Sequence, residues 1–303
     1  MEQTEVSFPS RGITCRGLLL RPEGKTGPLP AVVMAGGWCY VKEVVMPKYA
    51  RFIVDQGFAV LLFDYRGFGE SDGEPRQHIV PLEQQEDYRS AISYLETLPD
   101  IDHDRIGIWG ISYSGGHVLI VGATDPRVKC VVSVVPVVEG YQTMRRDHGE
   151  LRFADLIERI TEDRRKRSAN PEDRGHIPMS SRTPQAELCS WPFPEVTEVF
   201  ENIQKTDAPN HRHFNTVESV ELLMQYTVFP YTPRLINTPL MMIVADGDNI
   251  TSWDLEVDAF RSVPSERKEL VVLPKTTHMS LYSQQLRLEM AGSAGARWFQ
   301  SHL

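Results

Sequence analysis

One hexapeptide constrains this chain more than any other stretch: Gly110-Ile-Ser112-Tyr-Ser-Gly115. It stands between an apolar run, Arg105-Ile-Gly-Ile-Trp109, and a helix-like run, His117-Val-Leu-Ile-Val-Gly-Ala123. Small residues two before and two after a serine, with a strand leading in and a helix leading out, are the pattern of a nucleophile elbow. Such a turn holds its central residue at a strained backbone angle, and bulk at either flank collides with the chain. Here the flanks are Gly110 and Ser114, so serine replaces the glycine usual at the second position. The short motif alone is a common accident; the strand and helix around it are the context its chemistry requires. A strand–turn–helix of this kind needs a parallel sheet to sit in.

The remaining periodicity predicts that sheet. Apolar runs at 5–8 and 14–20 flank Pro9-Ser-Arg-Gly12 and predict an N-terminal hairpin. A buried strand is expected over 31–35, and further strands over 58–63, 105–109, 128–135, 240–245 and 268–273. Helices are expected over 47–56, 82–98, 253–261 and 282–299. Continuous apolar strands alternating with helices predict an α/β fold with a doubly wound, mostly parallel sheet covered on both faces.

The alternation fails between about 139 and 234. That stretch holds a charged helical run at 151–168, then Pro171, Pro178, Pro184, Pro192 and Pro194, then a helix-like segment at 217–226. A structureless loop of this length is improbable in a compact domain. Residues 139–234 are therefore expected to form an inserted, mainly helical cap over the sheet end where the elbow opens. Residues 1–138 and 235–303 would form the core domain.

Composition narrows the function classes. The chain has 303 residues, 41% hydrophobic and 24% charged, enough for a substantial core. The net charge of -9 leaves nothing to neutralise phosphates, so nucleic acid is not an expected partner. The one basic run, Arg164-Arg165-Lys166-Arg167, follows Glu162 and Asp163 and reads as a solvated helix face. Cys15, Cys39, Cys130 and Cys189 are too widely spaced for a metal site, and Cys15 and Cys130 read as buried small hydrophobes. The first five residues are polar, and no apolar run approaches the ~18 residues that span a bilayer. A cytoplasmic setting and a small-molecule partner are expected, with no membrane contact and a homodimer left open.

A serine hydroxyl is a poor nucleophile unless a histidine takes its proton and an acid orients that histidine. In a doubly wound sheet these groups follow later strands, in the order serine, acid, histidine. His278, in Pro274-Lys-Thr-Thr-His278, closely follows the last strand and is the expected base for Ser112. Asp246-Gly-Asp248 follows the strand before it. Asp248 stands in the loop proper and is favoured as the acid; Asp246 abuts the strand, and Asp254 is more remote. The backbone N–H of Tyr113, at a helix start, and that of Trp38, in Gly36-Gly37-Trp38-Cys39, are the expected oxyanion donors, with Gly37 as an alternative. His103 lies at the wrong end of the sheet, and His117 reads as packed. His211-Arg-His213 lacks a carboxylate or cysteine cluster, so a solvated or substrate-contacting role is expected over metal binding. The glycine-rich Asp64-Tyr-Arg-Gly-Phe-Gly-Glu-Ser71 reads as a structural corner bonded by Asp64 and Arg66, not as a phosphate loop.

Taken together, Ala35-Gly-Gly-Trp38, Asp64 to Ser71, the elbow, Asp248 and His278 resemble an α/β-hydrolase over nearly all of the chain outside the insertion. Phe63 to Gly73 and Ile108 to Gly116 are similar to a branch near dienelactone hydrolases and X-Pro dipeptidyl-peptidase-like enzymes, which also includes fungal polyketide transferase-like hydrolases. The resemblance implies a Ser-His-Asp triad, no cofactor, and action on esters, lactones, thioesters or amides. There is one departure: many relatives carry His-Gly after the first central strand, and Gly36 stands where that histidine would be. The expected activity is serine-dependent hydrolysis of a small, apolar acyl substrate. Acyl transfer to an alcohol or amine, and ligand binding without catalysis, are the rival readings. Phe153, Trp191, Phe193, Phe200, Phe214, Tyr226, Phe229 and Tyr231 in the insertion suit an apolar acyl group, or else the insertion's own small core.

Overall fold

The computed structural model describes residues 1–25 and 27–303. The chain opens with an antiparallel hairpin, β1 (Glu2–Ser10) and β2 (Ile13–Arg21), paired from Glu2 opposite Arg21 to Ser10 opposite Ile13. Strand and helix then alternate: β3 (Leu29–Ala35), α1 (Met46–Val54), β4 (Ala59–Phe63), α2 (Pro81–Leu95), β5 (Ile101–Ile111), α3 (Tyr113–Thr124) and β6 (Val128–Val134). The middle of the chain holds α4 (Gly140–Ala169), β7 (His176–Pro178), α5 (Pro194–Lys205), β8 (Phe214–Thr216) and α6 (Val217–Leu223). Alternation resumes with β9 (Leu240–Ala245), α7 (Trp253–Ser262), β10 (Lys268–Leu273), α8 (Ser280–Ser283) and α9 (Gln285–His302).

Eight strands form one sheet in the order β1-β2-β4-β3-β5-β6-β9-β10. β2 runs antiparallel to β1 and β4, and every other pairing is parallel. Every residue of β4 and β9 is buried, as a strand covered on both faces demands. From β3 the chain crosses to β4 on one side and returns to β5 on the other, so the carboxyl ends of β3 and β5 part at a switch point. Tyr88 of α2 pins those two ends: its hydroxyl accepts from Ala35 N at 3.1 Å and donates to Trp109 O at 2.8 Å.

The glycine-rich loop after β4 is a corner. Asp64 accepts from Lys42 N (2.6 Å), Lys42 Nζ (3.0 Å) and Glu70 N (3.1 Å). Arg66 donates to Asp87 at 2.6 Å and to Ser10 Oγ at 2.8 Å.

Departures from the sequence expectations concentrate in the middle of the chain. α4 is two helices that meet at non-helical Gly149 (φ 63°, ψ 167°). The second is the charged helix expected over 151–168, while the first, from Gly140, was not expected and is capped by the Glu139 carboxylate, which accepts from Gln142 N (2.6 Å). α5 was not anticipated: Pro194 and its neighbours read as breakers, yet proline is tolerated in a helix's first turn. The C-terminal helix is two pieces, α8 and α9, separated by extended Gln284. The basic run is not uniformly solvated either. Arg167 is mostly buried and donates to Asp163 (2.7 Å), Glu218 (2.9 Å) and Glu221 (2.6 Å), tying α4 to α6. Among the described residues, none between Val134 and Leu240 joins the large sheet, and β7 pairs only with β8. No helix among them is long and apolar enough to cross a membrane.

Candidate active site

β5 turns directly into α3 through Ser112, which has φ 59° and ψ -121°. A non-glycine residue held there costs of order 1–3 kcal/mol, so its surroundings must impose it. Ser112 N donates to Val134 O at 2.9 Å. The Ser114 hydroxyl accepts from Ile111 N (3.0 Å) and donates to Ala35 O (2.6 Å). The serine at the second flank is therefore a clasp that ties the elbow to β3, a role glycine has no atoms to fill. At the first flank, a Cβ on Gly110 would lie 2.3 Å from Ser114 O.

Three loops at the carboxyl ends of β5, β9 and β10 bring Ser112, Asp248 and His278 together, all buried. His278 Nδ1 lies 2.8 Å from Asp248 Oδ2, and His278 Nε2 lies 3.2 Å from Ser112 Oγ. Because a carboxylate only accepts, Nδ1 carries the proton and the Nε2 lone pair faces the serine hydroxyl. Asp248 Oδ1 accepts from Ile250 N (2.9 Å) and Thr251 N (3.0 Å). Burial by itself would raise the Asp248 carboxyl. The charge and hydrogen bond of His278, with the two backbone donors, hold it below the usual carboxylate range instead. The other two acids go elsewhere. Exposed Asp246 accepts from Thr276 N at 3.2 Å, and Asp254 pairs with Arg146 at 2.8 Å on the surface.

Among the described residues, neither Trp38 N–H nor Tyr113 N–H has an acceptor. Tyr113 opens α3, where unpaired donors and the helix dipole favour negative charge. The loop after β3 passes so close that a Cβ on Gly37 would lie 3.0 Å from Ser112 Cβ. A Cβ on Gly36 would lie 2.6 Å from Tyr40 Cβ, so Tyr40 takes the room a histidine at 36 would need. Sequence reasoning missed Tyr40, since an aromatic four residues past a glycine carries no motif. Its hydroxyl and that of Tyr282 neighbour the Ser112 hydroxyl, and burial pushes both phenols up.

Side chains from residues 179–215 pack against these groups. Trp38 Nε1 donates to Asn215 Oδ1 at 2.9 Å, and the Trp38 ring meets Tyr113 and Trp191 edge-on at 5.1 and 5.9 Å. Met179, Trp191, Val196 and Phe200 then wall a cavity with Trp38, Tyr40, Ser112, Ile250, His278 and Met279. Its free volume is about 20 Å³, room for roughly one or two waters. The aromatic residues of the insertion thus divide. Trp191 and Phe200 face the cavity, while Phe153 packs on Tyr141 and Phe214 on His176.

Of the other histidines, His117, His148 and His211 are buried. His117 sits between Gln84 (3.0 Å) and the Tyr226 hydroxyl (3.2 Å), and burial pushes it down to about 3. His211 is buried and His213 half-buried, and neither lines the cavity. They lie 3.3 Å apart beside Phe200, and His213 meets Ser180 at 2.7 Å. Cys39, buried against Phe214 O at 3.5 Å, stands outside the elbow.

The mostly parallel sheet with flanking helices and a strand–elbow–helix at its switch point is that of an α/β-hydrolase. More narrowly, the chain belongs to the X-Pro dipeptidyl-peptidase (S15) family, whose family model matches residues 13–279. It is 31% identical to the thiohydrolase aneE of Aspergillus aculeatus, over 88% of this chain and 83% of that protein. It is 29% identical to the polyketide transferase af380 of Aspergillus fumigatus, over 93% of this chain and 92% of the other. Its fold matches the α/β hydrolase GrgF from Penicillium sp. with a TM-score of 0.83 at 22% identity, covering 100% of this chain and 99% of GrgF.

Proposed function

We propose that this protein is a serine-dependent acyl hydrolase acting on esters or thioesters of a neutral, apolar acyl group. The observation that carries the reading is the hydrogen-bonded run from Asp248 through His278 to Ser112, at 2.8 and 3.2 Å. In the proposed reaction, His278 Nε2 takes the Ser112 proton as Oγ attacks the carbonyl carbon. The N–H groups of Trp38 and Tyr113 receive the developing oxyanion, with the Tyr40 hydroxyl beside them. Collapse expels the alcohol or thiol, which takes the proton from His278. Water, deprotonated in turn by His278, then releases the acid from Ser112. Asp248 holds the imidazole in one tautomer and stabilises its charged form.

The cavity wall supports the substrate class. Among the described residues lining it, none is Asp, Glu, Lys or Arg. A substrate presenting a free ammonium, as an X-Pro dipeptide does, would lose its hydration there without gaining a counter-charge. Residues 139–234 act in this reading as the cap that selects the acyl group. The likeness to the polyketide transferase af380 supports a second reading, transfer of the acyl group to an alcohol or amine that competes with water. Product analysis on a panel of acyl thioesters and esters, with and without acceptor, separates the two. Free acid in every case supports hydrolysis, acceptor ester or amide supports transfer, and no turnover of any acyl compound contradicts both.

A further inference from the structure

We infer that Glu256 is a positioning residue of this site, holding Asp248 and His278 in place through the hydroxyl of Thr251. The inference rests on the triad reading above. Thr251 touches both partners: its N–H donates to Asp248 Oδ1 at 3.0 Å, and its Oγ lies 3.4 Å from His278 Nδ1. That hydroxyl has one proton, and it is committed to Glu256 Oε1 at 2.7 Å. With the proton turned to Glu256, the oxygen presents lone pairs to the His278 Nδ1–H, whose principal acceptor is Asp248. Were the hydroxyl free to rotate, its proton would point at that N–H and oppose the Asp248–His278 bond.

Glu256 stands in the first turn of α7 and is 0% exposed. Its Oε2 is shut off from solvent and, among the described residues, has no hydrogen-bond partner. No Lys, Arg or His among them pairs with it, and the charged groups that face it are Asp248 and Asp254. An ionised carboxylate in that position would be an unpaired buried charge beside a second anion. Burial first, and then the Asp248 charge, push the Glu256 carboxyl well above its ordinary range. Glu256 is therefore a neutral acid whose carbonyl-like oxygen accepts from Thr251, leaving Asp248 the single anion on His278. Sequence reading had no means of finding it, since an i, i+5 pair on a loop and the helix after it has no motif.

The test is the second-order rate of Ser112 labelling by a fluorophosphonate, with the melting temperature of each variant measured beside it. Glu256→Leu and Thr251→Val are expected to label about tenfold slower than wild type, a misplacement effect, while remaining folded. Glu256→Gln, neutral and still an acceptor at the same place, is expected to restore the rate to within about threefold. Should Glu256→Leu fail to fold, Thr251→Val and Glu256→Gln carry the comparison. Wild-type rates in Glu256→Leu or Thr251→Val, with Ser112→Ala unlabelled, would overturn the role of Glu256 and leave the triad standing. A Glu256→Gln variant as slow as Glu256→Leu would overturn the neutral-acceptor assignment. Labelling of Ser112→Ala at the wild-type rate would overturn the triad reading and this inference with it.

Discussion

The carboxyl ends of the sheet and the segment at 139–234 face the same small cavity but are built by different rules. The sheet ends carry polar groups held by bonds: the Ser112 backbone donates to Val134 O and accepts from Val137 N, and Asp248 accepts from two backbone N–H groups and meets His278. The inserted segment offers the cavity only Met179, Trp191, Val196 and Phe200, set by packing. The contrast teaches a division of labour. Under the proposed function, the parallel sheet places the reacting atoms and the irregular helical layer shapes what reaches them. If the division holds, substitutions at the sheet ends should act on turnover and those in the insertion on which acyl group is taken.

The most severe break falls on the sheet side. Ser112→Ala should lower kcat/KM on an activated ester by about 10⁴- to 10⁶-fold, with thermal melting little changed, because the nucleophile goes while the packing stays. Asp248→Asn comes next, at about 10⁴-fold in kcat, since an amide can donate to Nδ1 and stabilise the wrong tautomer. Steady-state rates across pH check it, and a loss below about tenfold would remove Asp248 from the role.

The insertion should give a smaller and differently shaped effect. Trp191→Ala is expected to lower kcat/KM about 10- to 100-fold on long acyl chains, corresponding to about 1.5–3 kcal/mol of apolar burial, and to spare acetyl esters. Equal losses on short and long esters would erase the proposed contrast. Ser114→Ala tests the clasp: about 1–3 kcal/mol of stability should be lost, read in chemical denaturation, as Ile111 N loses its buried acceptor.

One prediction joins the two regions. His117 in the core and His211 in the insertion are both held neutral, each pushed down to about 3, by burial in the first case and by burial with His213 in the second. Their unfolded counterparts titrate near 6.5, so the unfolded chain takes up protons first as pH falls. The stability these residues contribute is therefore complete above pH ~6.5 and is lost progressively toward pH ~3. Melting temperature measured from pH 7 to 4 should fall, and His117→Gln should flatten the slope.

Much of this was legible in the sequence, for an identifiable reason. Ser112, Asp248 and His278 each follow a strand that ends in an apolar run, and such a run is strong enough to locate a loop at its end. Only Asp246 and Asp254 had to be set aside by geometry. What sequence did not carry are contacts between distant segments. Trp38 meets Asn215 across 177 residues, and nothing local to either marks the pair. The same holds for Tyr40 against Ser112. Between 139 and 234, α5 carries an apolar stripe (Val196, Phe200, Ile203) that the prolines before it obscured, and the helix from Gly140 to Gly149 rests on a side-chain cap.

The central claim, an activated serine at the elbow, is tested most directly by intact-protein mass after incubation with a fluorophosphonate. The account predicts one adduct on wild type and none on Ser112→Ala. An unlabelled but folded wild type, or equal labelling of both proteins, would contradict it.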